Sequence, residues 1–94
     1  MEIKIPKTFK IFGLTFKVTQ PHKIDNKDNW GECSISKKSI KVKRSLNQEQ
    51  KEITYLHELT HAILDCLEYN DLSHNEEFVE RFSKALHQAL KTSE

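Results

Sequence analysis

At 94 residues and 11.1 kDa the chain has room for one domain with one modest core, read as spanning residues 1–94. Hydrophobic residues at 36% and charged residues at 31% suit a soluble protein, and a formal charge of +1 is too small to argue for a general nucleic-acid or membrane-surface binder. The start of the chain, Met1 to Pro6, lacks the apolar run of a signal peptide, and no stretch approaches the ~20 apolar residues that cross a bilayer. The expectation is a cytoplasmic protein without membrane contact, whose two cysteines, Cys33 and Cys66, stay reduced.

From Lys7 to Thr19, β-branched and aromatic residues alternate with Lys and Thr on both sides of Gly13, which predicts a hairpin. Residues 21–29 are polar and contain Pro21, so they predict a loop. Trp30, Cys33, Ile35, Ile40 and Val42 then predict a second hairpin. Eleven of the fifteen Lys and Arg residues fall in the first 44 positions; solvated lysines along strand edges explain the pattern, and a basic face on this half is the alternative.

From Leu46 the hydrophobic period changes from two to about 3.6, with Ile53, Leu56, Thr60, Ile63, Leu64 and Leu67 on one side of a helix. Asn47 or Ser45 supplies its N-cap, with Gln50 or Gln48 as the capping-box partner. Residues 68–75 break the pattern and read as a loop. A last helix starts near Asn75 with an apolar stripe of Phe78, Val79, Phe82, Leu86, Ala89 and Leu90. Strands followed by helices predict an α+β domain: a small antiparallel sheet from N-terminal hairpins, packed on two C-terminal helices.

The chemistry lies in His57-Glu58-Leu59-Thr60-His61, an HExxH motif on the longest predicted helix. Residues four apart share a helix face, so both imidazoles can reach one ion, and Glu58 lies about 100° around, beside rather than on it. Zinc lowers the pKa of a water that it holds, and a carboxylate placed like Glu58 can take the proton. Tyr55, Leu56 and residues 62–64 flank the motif and place it against the core, where unshared polar side chains would be costly.

A catalytic zinc site needs a third protein ligand, and His74, Glu76, Glu77 and Glu80 are the candidates. Glu76 comes first because it falls in the first turn of the last helix and flanks the apolar stripe. His74 and Glu77 stay open as alternatives. Glu80, one turn on, could hydrogen-bond a ligand from behind, although it points further from the stripe. Cys66 reads as a buried small hydrophobe rather than a thiolate ligand. His22 and His87 read as surface residues unconnected to the site.

Residues 54–64, then Glu76-Glu77-Phe78-Val79 and Phe82-Ser83, resemble small phage and prophage HExxH proteins related to the zinc metallopeptidase domain of the ImmA/IrrE family. That family's Glu-x-x-Ala-Asn-x-Phe-Ala segment falls on Glu76, Val79, Glu80, Phe82 and Ser83, with Val79 and Ser83 in place of alanines and Glu80 in place of Asn. Trp30-Gly31-Glu32 resembles the segment before HExxH in the phage proteins, and His74 to Phe78 is similar to the third-histidine segment of SprT-like proteases.

The resemblance implies a minimal gluzincin, or zincin-like, fold with His57, His61 and Glu76 holding Zn2+ and Glu58 as catalytic base. It also implies peptide-bond hydrolysis in a protein partner such as a repressor. The alternative is a non-catalytic, zinc-stabilised interaction module. Direct nucleic-acid binding is not expected, because stacking aromatics are sparse among the N-terminal lysines and no helix-turn-helix is present; contact of the basic N-terminal half with nucleic acid stays open as a third, weaker reading.

Overall fold

The computed structural model describes residues 2–94. Two strands, β1 (Thr8–Ile11) and β2 (Leu14–Thr19), form the first predicted hairpin, and β3 (Gly31–Ser34) and β4 (Ser39–Val42) form the second. The first turn is the two-residue pair Phe12-Gly13, both with positive φ (51° and 79°), as a tight hairpin matching the strand twist requires. Three helices follow: α1 (Gln48–Cys66), α2 (Asn70–Ser73) and α3 (Glu76–Thr92). The α+β order of strands then helices stands as expected. Within residues 68–75, read as a loop, the chain winds one short helical turn, α2.

The expected antiparallel sheet is a mixed one, with strand order β1-β2-β4-β3. Each hairpin is antiparallel, but β2 pairs with β4 in parallel, Val18 opposite Ile40. The cause is the path of residues 20–30, which carry the chain past one strand position so that β3 becomes an edge and β4 fills the gap. Buried Ile24 anchors that path. Backbone bonds from Arg44 to Pro21 and from Lys43 to Trp30, 2.9 and 2.8 Å, tie it to the end of β4. Both hairpin turns therefore emerge at the same end of the sheet.

Period-two alternation turns Phe16, Val18, Ile40 and Val42 to one face, where α1 covers them with Tyr55, Leu56 and Ala62. Phe9 stacks on Phe16 at 5.0 Å and meets Tyr55 edge-on at 6.3 Å. The helix α1 lies between the sheet on one side and α3 on the other, so its buried surface is broader than the predicted stripe and shifted from it. Glu52, Tyr55 and Ala62 are buried, while Ile63 and Leu67 stay exposed. On α3 the buried residues are Val79, Ser83 and His87, with Phe82 and Leu90 exposed.

The reading of His87 as a surface residue is wrong. It is buried, and its Nε2 lies 2.9 Å from an oxygen of Glu52, whose side chain is wholly buried. Glu52 also accepts bonds from the Ile3 amide and Gln48, each 3.0 Å, and pairs with Lys91 at 3.1 Å. Burial alone would raise this carboxyl's pKa, but the bonds from Gln48, His87, Ile3 and Lys91 outweigh it and hold the value at about 2. His22 is exposed, as expected. Among the described residues no helix is long and apolar enough to cross a membrane.

Candidate metal centre

A complete capping box starts α1: Asn47 accepts from the Gln50 amide at 2.8 Å, and the Gln50 side chain accepts from the Asn47 amide at 3.1 Å. Glu68, at φ 63°, turns the chain out after the last turn, in a conformation where glycine is usual. The helix so bounded places His57 and His61 one turn apart, ring centres 5.1 Å from each other. Asn75 then caps α3 by accepting from the Phe78 amide at 3.1 Å, which puts Glu76 at its first position.

The helices dock so that Glu76 faces both histidines. One carboxylate oxygen lies 3.4 Å from Nε2 of His57 and the other 3.3 Å from Nε2 of His61. A ligand atom from each of His57, His61 and Glu76 falls within 4.8 Å of the others, a grouping that could hold a metal ion. The Nδ1 atoms are engaged from behind: that of His57 lies 3.1 Å from Glu80 Oε2, and that of His61 lies 3.2 Å from Ser73 Oγ. Both rings thus turn Nε2 to a common point, as metal-ligating histidines do when their other nitrogen is held. Two imidazole nitrogens and a carboxylate are a donor set that fits zinc.

The surroundings are acidic. Glu58 lines the same cleft, a hollow of about 800 Å3 between α1, β3 and the start of α3. Burial, helped by the charges of Glu76 and Glu32, raises its carboxyl to about 7. Burial also lowers the His61 pKa, against the pull of Glu76. Lys84, hydrogen-bonded to Glu80, holds that carboxyl below its ordinary value, with His57 adding to the effect. The cleft also exposes Trp30, Glu32, Cys33 and Asp65. Burial, then Glu58, Asp65 and Cys66, pushes the Cys33 thiol up to about 12, which keeps it protonated.

Strand β3 comes unusually close here. A Cβ on Gly31 would stand 2.5 Å from Thr54 Cγ2 and 2.7 Å from the Lys41 carbonyl, with Glu58 Cγ at 3.4 Å. Only a residue without a side chain lets the edge strand lie this near Glu58.

Of the other third-ligand candidates, His74 lines the cleft outside the grouping. Glu77 points away and pairs with Arg81 at 3.5 Å. Glu80 takes the supporting place behind His57. Cys66, read as buried, is only partly buried; it packs against the core and lies outside the grouping. Ser73 escaped the sequence reading because nothing periodic marks residues 68–75, and only the turn of α2 brings it back to His61. Compared with family models, curated proteins and solved structures, the chain matches none.

Proposed function

We propose that this protein is a small zinc-dependent metallopeptidase of the HExxH kind, akin to the phage and ImmA/IrrE-type domains that its sequence resembles. The observation that carries the reading is the convergence of His57, His61 and Glu76 from two helices, with Glu58 in the same cleft.

In this reading the two Nε2 atoms and the Glu76 carboxylate hold the ion, while Glu80 and Ser73 fix the ring orientations. Bound zinc would supply Lewis acidity toward a peptide carbonyl and toward water. Glu58 receives the proton of the attacking water and passes it to the leaving amine. Its burial suits that exchange, because a carboxyl that is readily protonated can return what it takes. Edge strand β3 has an unpaired side along the cleft, and an extended substrate segment could add to it by backbone hydrogen bonds.

Elemental analysis of the purified protein and its variants tests the site. About one zinc per chain is expected, retained in His74→Ala and Glu58→Gln and lost in His61→Ala and Glu76→Ala. Hydrolysis of a quenched fluorescent peptide pool should fall at least ~100-fold in Glu58→Gln. Failure to take up zinc would sink the metal reading. Zinc uptake without any Glu58-dependent hydrolysis would favour the zinc-stabilised interaction module.

A further inference from the structure

The helices cover one face of the sheet and leave the other open. Opposite the buried Phe16, Val18, Ile40 and Val42, the outward strand positions carry Lys10, Lys17 and Lys41 among Thr8, Thr15, Thr19, Ser34 and Ser39. The one outward acid on these strands is Glu32, paired with Lys41 at 3.4 Å. The diagonal neighbours Lys10 and Lys17, and Lys17 and Lys41, place a row of ammonium groups across the sheet, with backbones roughly 7–8 Å apart at each step. Residues 1–44 hold eleven basic side chains against four acidic ones, net +7, and residues 45–94 hold four against ten, net −6. The near-neutral chain therefore divides into a basic half that carries the strands and an acidic half that carries the helices.

Parallel pairing of β2 with β4 adds a second feature. It brings both hairpin turns to one end of this face, where the Lys17 amide donates to the Lys38 carbonyl at 3.0 Å. Phe12 stands there 74% exposed, at a φ of 51° that is strained for a bulky residue and gains it no packing. Ile35, Lys37 and Lys38 lie on the neighbouring turn, all exposed. Among the described residues no carboxylate pairs with Lys10, Lys17, Lys37 or Lys38.

We propose that the open sheet face and its Phe12 end bind a single strand of nucleic acid. Lysines and interspersed hydroxyls suit a phosphate backbone laid across the strands, and an exposed ring at the end of the row offers a base a stacking surface. Bases of an unpaired strand can splay onto a flat sheet, whereas a duplex hides their faces, and no helix lies on this face to enter a groove. An anionic bilayer fits less well, because the lysines are not confined to the apolar tip: Lys10, Lys17 and Lys41 extend away from it across three strands. The carboxylates of the metal cleft repel phosphate, so a bound strand leaves that cleft free. The proposal stands independently of the metal reading.

Fluorescence anisotropy with a labelled oligodeoxythymidylate about 20 nucleotides long, and a duplex of equal length, tests it. The single strand should bind more tightly than the duplex. With three phosphates engaged, its affinity should fall about 20-fold between about 50 and 200 mM salt. Replacing Lys10, Lys17 and Lys38 together by Gln should weaken binding at least ~10-fold. Phe12→Asn should weaken it about 10-fold while its thermal melt stays at or above that of the parent, because Asn accepts positive φ in this turn. Equal affinity for the duplex, no binding at the lower salt, unchanged binding by either variant, or binding of phosphatidylserine vesicles but not of the oligonucleotide would overturn the proposal.

Discussion

Two carboxylates on α1, only six residues apart, meet opposite environments. Glu52 is wholly buried yet held ionised by four donors, with its pKa at about 2. Glu58 faces a cleft lined with other acids and is raised to about 7. Burial acts on both in the same direction, and the difference is the donor set. For Glu52 the native state favours the anion, so its contribution to stability is full above the ordinary value of 4.5 and is lost as pH falls from there through about 2. Urea titrations across that window should show stability declining in the parent and a flatter profile in Glu52→Gln. His87→Ala, which strips one donor from the buried carboxylate, should destabilise by about 3 kcal/mol at neutral pH; a change within experimental error would mean that water replaces the imidazole.

At the scale of elements, the position of β3 depends on one missing side chain. Gly31→Ala introduces a Cβ against Thr54 and the Lys41 carbonyl, the latter rigid backbone of the neighbouring strand. The strand must move away from α1, so a loss of about 1–3 kcal/mol is expected in chemical denaturation, and the proposed peptide hydrolysis should fall with it because the cleft beside Glu58 widens. Unchanged stability would show that β3 yields freely. The α1 capping box is a separate local device: Asn47→Ala should cost about 1 kcal/mol and leave zinc content untouched, since the histidines lie more than two turns further along the helix.

For the whole molecule, the three candidate ligands join α1 to the start of α3, and the Glu52–His87–Lys91 cluster joins α1 to the end of α3. An ion binding only the folded arrangement should stabilise it by mass action, about 2.7 kcal/mol at a concentration 100-fold above the dissociation constant. For a domain of this size that amounts to a rise in Tm of roughly 10–20 °C. A chelator should reverse the rise, and His61→Ala should abolish it; a zinc-independent melting temperature would argue against a site spanning the two helices.

The HExxH face, both hairpins and the boundaries of the long helices were legible in the sequence because each is set within a few residues: alternation along a strand, the 3.6 period, or Asn47 reaching Gln50. Zinc chemistry, as a proposal, rests on the same local spacing of His57, Glu58 and His61. Local signals say nothing about how elements dock, and docking decided the rest. It selected Glu76 over His74 and Glu77 to face the histidines, turned Ser73 toward His61 across an unpatterned stretch, and buried His87 against Glu52, 35 positions away. It also set β4 beside β2 in parallel, gathering lysines scattered along the chain onto one face. These partners are distant in sequence, so their meeting depends on how the sheet and both helices share one core, which no periodicity along the chain records.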